Sequence, residues 1–199
     1  MGELVELIKA IGPVLTAGAA WFAAWNAFKG LSKWHTERRA QLAEDVLSAF
    51  YEANDIIRHI RSPGAYDVEY ADRKPQEDEP PDIKSLRDTY YVPLGRLADH
   101  HKFFADLRAK RYRMRALMGP TADAPFQEIN KVLSEIRVAA GILMRGAGQH
   151  LSIAEKLQAT IWEVSDDDPI AKRINAAVSA IEKMCTPILA HRREDFRQS

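Results

Sequence analysis

The sequence predicts an all-α protein: a single N-terminal transmembrane helix followed by an up-and-down bundle of about four or five helices. Three observations carry that prediction. Apolar residues recur three and four positions apart through most of the 199-residue chain, and no alternating strand pattern of any length interrupts them. Gly and Pro clusters at Ser62-Pro63-Gly64, Gly119-Pro120 and Pro169 cut the pattern into helix-sized pieces. A charge-free span, Ala10 to Phe28, lies between Lys9 and Lys29. The length suits one domain with a proper core. Lys plus Arg (28) balance Asp plus Glu (28), so any electrostatic targeting must come from local patches. Cys185 is the one cysteine, which excludes a disulfide scaffold; its place among Ile181, Met184 and Ile188 predicts a buried, inert thiol.

The span 10–28 just meets the roughly 20 residues that a bilayer's hydrocarbon core of about 30 Å requires. Its alanine- and glycine-rich composition is weakly hydrophobic, and Asn26 counts against insertion. The flanks speak for an anchor. Trp21, Trp25 and Trp34 gather toward one end as an interface belt would, and Lys29, Lys33, Arg38 and Arg39 follow at once. The positive-inside rule then places the N-terminus outside and the bulk of the chain in the cytoplasm. The acidic n-region, Glu3 and Glu6, argues against a cleaved signal peptide. A buried helix of a soluble bundle is the other competitor.

Residues 1–33 are thus read as an anchor with interfacial flanks, 34–192 as a cytoplasmic bundle, and 193–199 as a frayed tail. Pro13 marks the first turn of the spanning helix or a kink, and Gly30 and Ser32 offer the one hinge before the bundle. Leu42, Val46, Phe50, Ala53, Ile57 and Ile60 predict the first bundle helix. The Pro-rich acidic stretch 62–82 predicts a long exposed loop. Asp82 is the expected cap of the next helix, which carries Leu86, Tyr90, Leu94, Leu97, Phe104, Leu107, Met114 and Met118, with a kink or a short break near Tyr91 where Pro93 removes a backbone donor. Asp123 is the expected cap of a third helix with Phe126, Ile129, Leu133, Ile136, Ala140 and Leu143 on one stripe. A shorter helix carries Ile153, Leu157 and Ile161. Asp166, Asp167 and Asp168 before Pro169 open the last helix, which buries Ile170, Ile174, Val178, Ile181 and Cys185.

The run WHTERRAQLAEDVLSAFYEANDIIRHIRSP from Trp34 to Pro63, with YVP at Tyr91 to Pro93, RYRMRALMGP at Arg111 to Pro120 and DDPI at Asp167 to Ile170, resembles a group of uncharacterised bacterial proteins. Those proteins have a short N-terminal hydrophobic segment and a helical region. The resemblance covers most of the chain. It implies the architecture and no activity.

The candidate sites are few. Glu52, Asp55 and His59, and the adjacent Asp99, His100 and His101, are the groupings to weigh for metal. A di-iron bundle needs paired Glu-x-x-His motifs, and none occurs; adjacent histidines diverge by about 100° on a helix. Solvated or capping histidines are the expectation, with no metal and no cofactor. The stretch Arg108 to Arg115 offers Arg108, Lys110, Arg111, Arg113 and Arg115, with Tyr112 for stacking. A solvated face leads, with Asp106 pairing Lys110 and the acidic loop lying against the arginines; anionic lipid is second and nucleic acid third. No phosphate loop, nucleophile elbow, HExxH or CxxC is present, so no catalytic residue is assigned. Gly12, Thr16, Ala19, Ala20, Ala23 and Ala27 lie three or four apart, the spacing by which anchors self-associate, with Asn26 available across such an interface.

The resulting expectation is a non-enzymatic, membrane-anchored interaction or scaffolding protein that meets a protein partner through the bundle and self-associates through its anchor. The alternative is a soluble helical module that binds a protein or nucleic acid through the basic face near 108–115.

Overall fold

The computed structural model describes the backbone of residues 2–147, 149, 152–165 and 167–197, and their side chains except those of 2–19, 24, 26, 27, 29–33 and 193–197. The described residues form six α-helices and two 3-10 turns, with no strand among them. The helices are α1 (Gly2–Ile60), α2 (Pro81–Asp99), α3 (His101–Met118), α4 (Asp123–Arg145), α5 (Ala154–Ile161) and α6 (Pro169–Arg197). The all-α reading therefore stands.

Four columns make the bundle. The C-terminal part of α1 runs antiparallel to α6, as the sequence of cross-links shows: Asn54 to Asn175 (3.4 Å), Tyr51 to Glu182 (2.7 Å), Glu44 to Arg192 (3.0 Å). α2 and α3 follow one another as a single bent column, turning back beside α1, and α4 returns antiparallel to them, with Arg115 of α3 reaching Asp123 at the start of α4 (2.8 Å). α6 also packs on α4, where Arg173 lies between Glu128 and Glu135. Short α5 packs on α4 at the end where α1 stops.

The core follows the helical stripes. Every expected apolar residue of the first bundle helix, from Leu42 to Ile60, is buried, as are all those of α4 and of α6. Phe50 of α1 meets Phe126 of α4 edge-on, ring centroids 4.8 Å apart. Leu86 and Ile153 are exposed instead of buried, since both lie where their helices begin, before the packed stripe is reached.

Several local expectations are corrected. α1 continues from Gly2 to Ile60 with no break at Pro13, Gly30 or Ser32: a lone glycine costs a helix only about 1 kcal/mol, too little to end it. Among the described residues no helix is long and apolar enough to cross a membrane. The expected span 10–28 is therefore not a separate element, and most of its side chains lie outside the described residues. α2 begins at Pro81, with Pro80 at the cap position and no side-chain cap, so Asp82 sits in the first turn and not at the cap. Pro93 lies inside α2 and does not break it. The missing N–H costs about 3 kcal/mol, whereas burying Tyr90, Val92 and Leu97 around it returns about 1.5–3 kcal/mol each. The bend falls at His100 instead (φ −96°, ψ 11°). Gly119 ends α3 at φ 84°, a conformation that favours glycine. α6 runs on to Arg197, through the residues read as a frayed tail.

Where α1 ends, buried arginines tie the bundle shut. Arg61 is fully buried and holds both oxygens of Asp168 (2.8 and 2.7 Å). Its other N–H groups donate to the carbonyls of Thr160 and Ala159 in the last turn of α5 and of Trp162 just beyond it (3.0, 2.9 and 3.1 Å). Asp168 in turn accepts from the Ala171 N–H (2.8 Å), capping α6. One guanidinium thus satisfies two helix ends. Arg96 does the same for α1, donating to the carbonyls of His59, Ser62 and Gly64 and to Glu69 (2.6 Å). The stretch 62–82 is largely exposed, as its composition predicts, but Arg73 and Glu79 turn inward. Arg73 pairs with Asp88 of α2 and with Glu79 (2.7 Å), and Arg87 also reaches Glu79 (2.7 Å), so the loop is pinned to α2 by charge where it has no apolar face.

Candidate functional site

The first region that calls for a partner is α1 ahead of the bundle. None of the described side chains before Ala40 is buried. Ala20, Trp21, Phe22 and Ala23 are consecutive and all exposed, and four successive residues point to every side of a helix. Trp21, Phe22 and Phe28 are 69, 64 and 68% exposed, and Trp25 and Trp34 about half. The Trp21 and Trp25 rings stack on each other, 5.7 Å apart. The Arg38 guanidinium lies over the Trp34 ring at 5.3 Å, where the apolar stretch gives way to charge. A helix that is apolar all round and uncovered by its own chain needs burial elsewhere. Of the small residues expected to mediate self-association, Ala20 and Ala23 are exposed; the side chains of Gly12, Thr16, Ala19 and Ala27 lie outside the described residues.

The second region is the basic stretch on α3, and the structure divides it. Arg111 and Arg115 both hold Asp123 (3.2 and 2.8 Å). Asp123 is therefore a buried ion-pair partner within the first turn of α4, with Ala122 at the cap position. Lys110 donates to the carbonyl of Asp45 on α1 (3.2 Å) and does not pair with Asp106, and the arginines lie against Asp123, not the acidic loop. Tyr112 is exposed, with the Arg111 guanidinium 5.5 Å from its ring. Arg108 and Arg113 are exposed and make no ion pair among the described residues. Three of the five basic groups are thus engaged in holding helices together.

The histidines do not gather into a centre. His59 and His100 meet edge to face at 6.3 Å, and His101 shares its Nδ1 proton with the Ala98 carbonyl (2.7 Å). Among the described residues no group of three or more His, Cys, Asp or Glu stands ready to hold an ion. Cys185 is fully buried, and burial pushes its thiol up to about 11. Tyr51 is exposed and gives its hydroxyl proton to Glu182, which raises its pKa; Tyr90 is buried and accepts from Gln158 (2.9 Å).

What escapes the one-dimensional reading is the set of buried arginines. Arg61 and Arg96 look like ordinary basic residues near helix ends, and their partners lie tens of residues away. The available signal is Asp168 just before Pro169 and Glu69 in the acidic loop, which supply the partners without naming the pairs. No family model matches the chain, and no curated protein and no solved structure matches it.

Proposed function

We propose that this protein is a non-enzymatic, membrane-anchored helical interaction or scaffolding protein, held to the bilayer by the N-terminal part of α1 over 10–28, with its N-terminus outside and its bundle in the cytoplasm. The observation that carries this reading is the all-round exposure of Ala20 to Ala23, with Trp25 and Phe28, on a helix whose continuation is the centre of the core. Each such aromatic side chain gains about 1.5–3 kcal/mol on leaving water. Lys29, Lys33, Arg38 and Arg39 on the bundle side favour the stated orientation. The resemblance to bacterial proteins with a hydrophobic N-terminal segment points the same way. Self-association through Gly12, Thr16, Ala19, Ala20, Ala23 and Ala27 belongs to the same proposal, because small residues let anchors approach closely. The alternative, a soluble helical module binding a protein or nucleic-acid partner through the basic face near 108–115, has less to work with because Lys110, Arg111 and Arg115 are engaged within the bundle.

Fractionation of cells expressing the full chain tests the reading. The expected result is recovery in the membrane pellet, resistance to alkaline carbonate and release by non-ionic detergent, with the bundle cleaved by protease only in inverted vesicles. Full-length, monodisperse protein in the detergent-free supernatant overturns the anchor.

A further inference from the structure

Ion pairs take up many of the guanidiniums. Among the described residues nine arginines stand against a carboxylate, from Arg58 with Glu163 to Arg192 with Glu44. Arg38, Arg39, Arg108, Arg113, Arg137 and Arg145 do not, and of these Arg108 and Arg137 share a cavity. It lies between the α2–α3 column and α4, with a volume of about 270 Å3. One wall is the stripe Leu97, His101, Phe104 and Arg108, which continues across the bend at His100; the other is Asn130, Leu133, Ser134 and Arg137. No carboxylate lines it. The polar rim is rich in donors. The two guanidiniums are free of ion pairs, Ser134 brings a hydroxyl, and Asn130 spends one amide proton on the Phe126 carbonyl (2.9 Å) and keeps the other. His101 is tied through Nδ1 to Ala98, which leaves Nε2 uncommitted. The floor is apolar: Leu97, Phe104 and Leu133 are buried.

Two like charges brought together repel, and on α3 a carboxylate relieves this where Asp123 of α4 sits beside Arg111 and Arg115. Here that place is left to solvent. Guanidiniums present planar forks suited to phosphate oxygens, and charge-assisted bonds of this kind are the strong ones. We infer that the cavity between α3 and α4 binds a small soluble organic phosphate, its phosphate held by Arg108 and Arg137 with Ser134 and Asn130, its apolar body resting on Leu97, Phe104 and Leu133. The volume admits a phosphate and one ring-sized group. The inference is independent of where the protein resides.

Calorimetric titration of the full chain in non-ionic detergent tests it, with phenyl phosphate as the probe and inorganic phosphate, glycerol 3-phosphate and phenol as comparators. Phenyl phosphate is expected to bind more tightly than any of the three. Arg108→Gln and Arg137→Gln are each expected to weaken it about tenfold or more, and the Lys variants at those positions by less. Arg113→Gln, the same charge change on α3 outside the cavity, is expected to leave binding unchanged. Circular dichroism confirms that each variant is folded, which the exposure of both arginines favours. Absence of saturable binding up to about 10 mM overturns the proposal. So does equal weakening by Arg113→Gln, which reduces the effect to overall charge. Tighter binding of inorganic phosphate or glycerol 3-phosphate than of phenyl phosphate overturns the ligand class.

Discussion

The two halves of α1 are one helix with opposite fates. From Ala40 to Ile60 it supplies the centre of the core, with Ala40, Val46, Phe50, Ala53, Ile57 and Ile60 sealed from solvent, and it ends in the buried grip of Arg61 and Arg96. Before Ala40 the described side chains include no buried residue, although Trp21, Phe22, Trp25 and Phe28 are as apolar as anything in the core. Composition alone does not separate the halves. What separates them is company: α2, α3 and α6 lie along the second half, and at the far end every buried polar group finds a partner among the described residues. The contrast among the described residues is between an end closed by paired charges and a stretch whose exposed aromatics no part of the chain covers.

The largest effect available for testing this contrast is at the closed end. Arg61→Ala strands the Asp168 carboxylate and three carbonyls in the interior. Loss of one partner of a buried ion pair costs about 3–5 kcal/mol, enough to unfold a marginal domain. Urea denaturation followed by circular dichroism should show that loss; a change below about 1 kcal/mol would mean that the closed end is not what holds the bundle.

Acid should loosen the same end. The hydrogen bond from Arg73, opposed by burial and reinforced by Arg87, holds the Glu79 carboxyl down to about 2 from its usual 4.5. At Asp168, burial pushes the pKa up, but the Arg61 hydrogen bonds, the Ala171 N–H and the Arg61 charge together bring it below the ordinary value. Asp88 behaves alike, burial being outweighed by Lys84 and Arg73. For such groups the unfolded chain takes up protons first as pH falls, so their contribution is complete above about 4.5 and is lost on the way down toward 2. Urea midpoints should therefore fall steeply across that window, and Glu79→Gln should flatten the slope while lowering the midpoint at neutral pH. A midpoint that stays level from pH 5 to about 2.5 contradicts the ion-pair account.

The contrast also explains which parts were legible. The stripes of α4 and α6 read correctly from spacing because each faces one core along its length, so a 3.6-residue period translates directly into burial. Gly119 and Pro169 mark true ends because their backbone chemistry is local. The break weighed at Pro93 does not occur because its local cost is overridden by tertiary burial, and within the exposed loop 62–82 the docking of Arg73 and Glu79 is invisible to composition because charge, not apolar area, carries it. Asp168 reads as a helix start from its place before Pro169, but its partner Arg61 is 107 residues away and no periodicity connects them. The cavity between α3 and α4 is hidden for the same reason: Arg108 stands out in a basic run, while Arg137 becomes its neighbour only when two helices pair.

The smallest expected effect on stability is the most informative about the open half. Phe28 is 68% exposed and Phe50 is fully buried, on the same helix. Phe28→Ala removes a large apolar side chain that touches little, and alanine is the better helix former, so bundle stability should change by no more than about 0.5 kcal/mol in urea. Association with lipid vesicles should weaken instead, by the roughly 1.5–3 kcal/mol that the ring gains on leaving water, or about tenfold to a hundredfold in partitioning. An unchanged partition with unchanged stability would mean that the exposed aromatics meet neither the bundle nor a bilayer. A stability loss like that of a core phenylalanine, about 3–5 kcal/mol, would mean that this half of α1 is covered by protein, most simply by a second copy. The two readouts move separately only if the two halves of the helix serve different solvents.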